Sequence, residues 1–359
     1  MESRSAMKSP ALLDAFAPRR LARAAAAFAL GFAASQSDIA AGGATLADIR
    51  ERGVLKCGVD TGLAGFAEQN DAGAWRGFEV DLCHAYAAAF LGDPEAVRFV
   101  PLTTAERFDA LREGRADILV RNTSWTFARD ARQDVTFVGT YYYDGQGFLV
   151  PEDLGVSSAR ELDGARICVM PATTTALNLD DYEATYALSF DRTLVETATA
   201  GIEAYAQGRC EAFTNDVSSL AGLRRALDDP SAHLILPDII SKEPLGPVVR
   251  SGDARFAEAA QWVLFALIAA EEYGVTADNA AERAASAGNP KVLRLLGARD
   301  DIGAALGLSP DFALQAIQAR GHYGEIFERH LGADSPLELR RGLNDQWTRG
   351  GLLYAPPFR

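Results

Sequence analysis

Beyond residue 53 the chain alternates short apolar runs with amphipathic stretches. Val54–Val59 (VLKCGV) is an apolar run ending at Asp60, and Val97–Pro101 and Ala116–Val120 (ADILV) repeat the form. Each predicts a buried strand. Between them, Glu79–Leu91 sets Val80, Cys83, Ala87 and Phe90 on one face, and Ala105–Leu111 predicts a second helix stopped at Gly114. After Tyr141–Gly147 the grammar restarts. Phe148–Val150, Arg166–Met170, Thr193–Glu196 and Glu211–Thr214 read as strands, and the stretches after Thr173, Gly201 and Val217 as helices. From about Asp253 the pattern is mainly helical, and Ala259–Ala270 reads as a buried helix of a soluble domain. Strand–helix alternation implies an α/β protein whose sheets are covered by helices, and its occurrence twice implies two lobes.

The chain has 359 residues, which suits two packed lobes better than one small core. The formal net charge of -14 argues against nucleic acid as a partner, because phosphate binding needs clustered Lys and Arg. The start of the chain differs from the rest. Arg19, Arg20 and Arg23 precede the apolar run Ala24–Ala34, and small residues follow from Ala40 to Ala44. That run is shorter than the roughly 20 residues of a membrane span, and the three parts match a secretory signal. The expectation is a leader over residues 1–44, cleaved on export to the periplasm.

Export changes the reading of Cys57, Cys83, Cys168 and Cys210. Four cysteines allow three pairings, and an oxidising compartment favours disulfides. Chain order suggests Cys57–Cys83 and Cys168–Cys210, one bridge in each lobe. Neither a CxxC nor a Cys/His cluster of zinc spacing occurs, so no metal and no cofactor are expected.

Three stretches carry candidate chemistry. In Ala116–Arg129 an apolar strand runs into a polar loop, which places Asn122, Ser124 and Arg129 at a strand's carboxyl end, where open α/β sheets bind ligands. Arginine's fork can hold both oxygens of a carboxylate. Cys168–Thr175 is again strand, loop and helix start, and N–H groups at a helix N-terminus hold anions. Glu211–Asp216 delivers a carboxylate at a strand end; Asp216 could accept an ammonium group or simply cap the next helix. An anion clamp and a cation acceptor at strand ends of two lobes together suit a zwitterion.

Those residues carry a resemblance. The chain resembles the polar-amino-acid solute-binding proteins of ABC importers, and more narrowly the general L-amino-acid and glutamate/glutamine/aspartate/asparagine receptors of Gram-negative bacteria. The matching words include Arg121-Asn122-Thr123, Tyr142-Tyr143-Asp144-Gly145-Gln146-Gly147-Phe148, Thr173-Thr174-Thr175, Ile239–Pro247 (IISKEPLGP) and Arg341-Gly342-Leu343-Asn344. The resemblance implies a type II periplasmic-binding-protein fold with two crossover hinge segments, near Tyr142–Gly147 and Glu243–Val248. One lobe would comprise 45–145 and 246–359, the latter with a C-terminal helical extension, and the other 146–245. It implies that Arg129 holds the ligand α-carboxylate with help from Thr174, and that Asp216 takes the α-ammonium with Ser124 and Asn122 beside it. Trp75 would wall the slot, and Arg121 and Asp60 would meet the ligand side chain. Paired together, Arg121 and Asp60 would leave that pocket locally neutral and favour amides; apart, they would give broad selectivity. Two positions depart from the family pattern: Ala172 stands where Gly is usual and Asp60 where Asn is common.

The implied function is the amino-acid receptor of an uptake system, a monomer that delivers its ligand to an ABC permease in the membrane. An enzyme on this scaffold, such as a dehydratase, would need a positioned acid/base, yet His84 lies in a helix and His233, His322 and His330 lie outside the three loops. No catalytic residue is therefore expected. An amino-acid sensor for a signalling partner is the other alternative.

Overall fold

The computed structural model describes residues 43–286 and 288–359, so the apolar run of the expected leader lies outside the described residues. Helix α1 (43–52) leads into strand β1 (Leu55–Val59). A short hairpin, β2 (Glu68–Gln69) and β3 (Trp75–Arg76), precedes α2 (Phe78–Leu91), β4 (Val97–Pro101), α3 (Arg107–Arg112), β5 (Ile118–Leu119), α4 (Phe127–Arg132) and β6 (Val135–Phe137). The chain then leaves along β7 (Tyr142–Asp144). It builds a second lobe from β8 (Gln146–Pro151), β9 (Arg166–Val169), α5 (Thr174–Tyr186), β10 (Asp191–Leu194), α6 (Ala198–Ala206), β11 (Ala212–Asp216), α7 (Val217–Arg224) and β12 (His233–Ile235). It returns along β13 (Glu243–Leu245), adds β14 (Val248–Arg250) to the first lobe, and ends in α8 (Ala254–Tyr273), α9 (Ala280–Ala285), α10 (Pro290–Leu295), α11 (Phe312–Arg320) and α12 (Tyr323–His330).

Each lobe holds a five-stranded sheet, ordered β4-β1-β5-β14-β6 in the first and β10-β9-β11-β8-β12 in the second. The three strands β4-β1-β5 are parallel, as are β10-β9-β11, so their carboxyl ends point the same way within each sheet. β14 and β8 join these triplets antiparallel. The two crossover segments, β7 and β13, pair antiparallel with Tyr143 opposite Pro244. The sheets therefore realise the two-lobe fold that the sequence implied.

Side-chain alternation explains the cores. In β5, Ile118 faces the large core beneath α2, α8, α11 and α12, while Leu119 faces a smaller core with Leu111 and Phe137. In the second sheet, Leu149, Cys168 and Phe213 point to one side, and Phe148, Val150, Ile167 and Ala212 to the other. Successive strand residues face opposite ways, so the continuous apolar runs mark strands buried on both faces. Disulfides join Cys57 to Cys83 and Cys168 to Cys210. The first ties β1 to α2, and the second anchors β9 to the residues that enter β11. Element boundaries shift where a cap decides them. Helix α6 starts at Ala198 rather than Gly201 because the Thr197 side chain accepts from the Ala200 N–H. Among the described residues no helix is long and apolar enough to cross a membrane.

Candidate functional site

The cleft between the lobes is lined by residues that follow strand ends. Asp60 follows β1, Thr103 and Thr104 follow β4, Arg121, Asn122 and Ser124 follow β5, and Thr173–Thr175 follow β9. Glu196 and Thr197 follow β10, and Asn215 and Asp216 close β11. The lobes touch across this cleft. Asn122 Nδ2 donates to Ser219 Oγ at 3.2 Å, and Ser124 Oγ lies 3.4 Å from Thr174 Oγ1.

Arg129 sits in the first turns of α4, whose start is fixed by Thr126 accepting from the Arg129 N–H at 3.3 Å. Its Nη1 donates to the Ser124 carbonyl at 2.9 Å, which aims the guanidinium at the cleft rather than at solvent. Burial weakens its hold on the proton, while Glu243 and Asp216 oppose that effect.

Thr173 caps α5 through the Ala176 N–H, so Thr174 is the first helical residue. Thr174 Oγ1 donates to Glu243 of β13 at 3.1 Å, and Asn178 Nδ2 donates to the same carboxylate at 2.7 Å. Ala172, which precedes this turn, has φ 58°. That left-handed conformation is what favours Gly at this position.

Asp216 precedes α7, but its carboxylate makes no cap hydrogen bond. Asp216 is 5 % exposed and lines the cleft, so the capping alternative does not hold. Burial holds its pKa well above the ordinary carboxylate value, and Asp144 and Glu243 push the same way, against Arg129 and Arg107. A cation placed beside it would relieve this crowding of negative charge.

Asp60 and Arg121 are paired at 2.7 Å. Arg121 also donates to the Leu102 carbonyl at 2.8 Å and to Thr104 Oγ1 at 3.1 Å, so its guanidinium is largely committed. Asn122 has φ 32°, and its N–H donates to Glu79 Oε1 at 2.5 Å.

Trp75, expected to wall the slot, is not among the residues that line the cleft. Trp75 lies in the β2–β3 hairpin, and its ring packs against Phe99 at 6.0 Å. Leu63 and Met170 supply apolar lining instead. Sequence reasoning also missed Arg107. Its side chain lines the cleft, is 3 % exposed, and its Nε has no hydrogen-bond partner. Burial and the neighbouring Arg129 and Arg121 depress its pKa well below the ordinary value. The sequence marks Ala105–Leu111 only as a helix, and the one signal that could flag Arg107 is its charge at the start of α3, soon after the end of β4.

No histidine reaches the cleft. His84 Nδ1 is 2.6 Å from the Pro94 carbonyl, His233 bonds Tyr205, His322 caps α12, and His330 bonds Asp81. Among the described residues no group of three or more His, Cys, Asp or Glu is placed to hold a metal ion.

Residues 55–279 match the model of bacterial extracellular solute-binding proteins, family 3. A glutamate/glutamine/aspartate/asparagine-binding protein of Rhodobacter capsulatus is 51% identical over 320 residues, 89% of this chain and 95% of its own. A general L-amino acid-binding periplasmic protein of Rhizobium johnstonii is 48% identical over 322 residues, 89% of this chain and 94% of its own. Among solved structures, an ABC transporter periplasmic binding protein from Brucella ovis with glutathione bound has a TM-score of 0.85 at 50% identity. The match covers 88% of this chain and 99% of that one. These relatives are binding proteins, not enzymes. The chain belongs to the family 3 bacterial extracellular solute-binding proteins.

Proposed function

We propose that this protein is the amino-acid receptor of an ABC-type uptake system, exported to the periplasm with its leader removed. It acts as a monomer that hands its ligand to a membrane permease and performs no catalysis. Its lobes comprise 45–145 with 246–359, and 146–245. The observation that carries the reading is one cleft holding an arginine aimed inward from one lobe and an uncommitted buried carboxylate from the other. Arg129 takes the ligand α-carboxylate with both arms of its fork, assisted by Thr174 and Ser124. Asp216 takes the α-ammonium, and Asn122 closes the cleft over it.

Polar side chains fit the remaining space. Asp60 and Arg121 neutralise one another, but Arg107 adds an unspent positive charge beside them. The side-chain end is therefore cationic rather than neutral, and acidic amino acids bind at least as well as their amides. The test is calorimetric titration of the mature protein with glutamate, glutamine, aspartate and asparagine. Saturable binding of these, with Arg107→Met weakening glutamate more than glutamine, supports the reading. Absence of binding by all four removes it.

A second reading takes its support from the Brucella ovis relative with glutathione bound. Glutathione carries a free α-amino and α-carboxylate group on its γ-glutamyl end, so the same Arg129–Asp216 clamp would receive it. Including glutathione in the titration decides between a free amino acid and a γ-glutamyl peptide.

A further inference from the structure

Three consecutive residues entering the hinge are each gripped by the C-terminal segment, which lies beyond the stretch matched by the family model. The Tyr141 carbonyl accepts from Tyr323 Oη at 2.8 Å. The Tyr142 ring stacks on Phe327, with centroids 6.3 Å apart and planes 8° from parallel. The main chain of Tyr143 is held twice by one buried amide: its N–H donates to Asn344 Oδ1 at 2.6 Å, and its carbonyl accepts from Asn344 Nδ2 at 3.1 Å. The Asn344 side chain thus behaves as the peptide group of a missing third strand.

The hinge ribbon explains why such a group fits there. Tyr143 lies opposite Pro244, and the Pro244 carbonyl points away from β7 to accept the Trp125 N–H at 2.8 Å. In an antiparallel ladder such a pair leaves both residues' polar groups facing outward. One outward edge is covered by the pocket loop at Ser124–Trp125 and the other by Asn344. Arg341 locks the brace to the first lobe: it lies over the Tyr323 and Phe327 rings and donates to Glu271 of α8 at 3.0 Å.

Beyond Tyr143 the attachments change sides. The Gly145 carbonyl accepts the Val217 N–H at 2.9 Å, and the Asp144 carboxylate accepts from Ser218, both in α7. A Cβ at Gly145 would collide with Ile239 and the Ser241 carbonyl of the segment that leads into β13. The braced part of the crossover therefore ends at Tyr143, and the second lobe's grip begins one residue later.

We infer that the C-terminal segment is a hinge brace: through Tyr323, Phe327 and Asn344 it confines the bend of the first crossover to the junction of Tyr143 and Asp144 and so sets how readily the lobes part. Asn344 is then a positioning residue for ligand retention, although it touches no part of the cleft. The inference rests on the reading that a ligand enters and leaves by separation of the lobes, as in hinge closure generally. Freeing Tyr143 adds backbone freedom to the open state, where no cross-cleft bond opposes it, so ligand should leave faster.

The experiment uses the full mature chain carrying Asn344→Ala, with glutamate and glutamine as probes. Hydrogen exchange on the ligand-free protein should show the Tyr143 amide exchanging about ten-fold faster or more, since its partner is gone. Stopped-flow should show a ligand off-rate raised about three- to ten-fold, the scale of a lost side-chain hydrogen-bond pair partitioned between two states. The on-rate should stay within about two-fold. Asn344→Asp keeps the acceptor and loses the donor, so it should rescue partly. Where Asn344→Ala does not fold, Tyr323→Phe deletes one hydroxyl and should move the same two readouts in the same direction by less. A faster Tyr143 amide with an unchanged off-rate overturns the brace. Failure of the wild-type chain to bind either probe would instead overturn the receptor reading, which the exchange measurement does not require.

Discussion

Asp60 and Arg121 meet at 2.7 Å beside the strand ends of the first lobe, and Arg121 is further held by the Leu102 carbonyl and Thr104. The pair bears directly on how the cleft treats a ligand's side chain. Asp60 both neutralises Arg121 and presents negative charge toward any incoming carboxylate. Asp60→Asn keeps the shape and removes that charge. A like charge within reach at a partly buried site is worth roughly 1 kcal/mol or more, so glutamate should gain about five-fold or more over glutamine. Parallel calorimetric titrations of wild type and variant measure the ratio. An unchanged ratio would mean that Asp60 does not sense the ligand.

Arg129→Ala should abolish or cripple binding without unfolding the protein. The Thr126 cap of α4 does not use the guanidinium, so the helix persists. Truncating one partner of a buried charge pair costs about 2–5 kcal/mol or more, a loss of about thirty-fold to several thousand-fold in affinity. Arg129→Lys should recover only part of it, because the fork is lost. Near-normal affinity in the Ala variant would remove Arg129 from the site.

These variants were legible in the sequence because strand ends are. The apolar runs at Val54–Val59, Ala116–Val120, Arg166–Met170 and Glu211–Thr214 end at or near Asp60, Arg121, the Thr run and Asp216, and the structure brings all of those together. Both parallel triplets point their carboxyl ends into one cleft, so reading the strands was nearly reading the site. The placements of Trp75, outside the cleft lining, and Arg107, within it, were not legible for a common reason. The contacts of Trp75 are set by a hairpin of two-residue strands packed on Phe99, and those of Arg107 by how α3 lies over the sheet. Neither is a local pattern. The Asn344–Tyr143 contact spans 201 residues of chain and carries no periodic signal at all.

Ala172 offers a test of local strain. Its φ of 58° places a Cβ in the left-handed region, which costs an L-residue roughly 1–2 kcal/mol. Glycine removes that cost but gives back about 0.4–1 kcal/mol through a freer unfolded chain. Ala172→Gly should therefore stabilise slightly, raising the melting temperature by about 1–3 °C. A lower melting temperature would show that the turn before α5 holds Ala172 without strain.

Glu79 gives the clearest pH dependence. It is 0 % exposed, and its Oε1 receives the Tyr141 hydroxyl and the Asn122 N–H while Oε2 has no partner. Burial raises its pKa from the ordinary 4.5 to about 8, and the two hydrogen bonds only partly offset this. The folded protein thus keeps a proton that the unfolded chain releases near pH 4.5. Stability from this group is fully present below that pH and is lost as pH rises through about 8. Asp144, raised to about 6 chiefly by burial, and Asp216, raised for the same reason, act in the same direction. The ligand-free protein should accordingly melt lower at about pH 8.5 than at about pH 5. Glu79→Gln holds the neutral shape at every pH, and its amide oxygen can still accept from Tyr141 and Asn122. The variant should lose visibly less of its melting temperature across that interval, with the remaining slope left to the two aspartates. Equal slopes in wild type and variant would mean that Glu79 is ionised throughout and that its unpartnered oxygen is stabilised by something other than a proton.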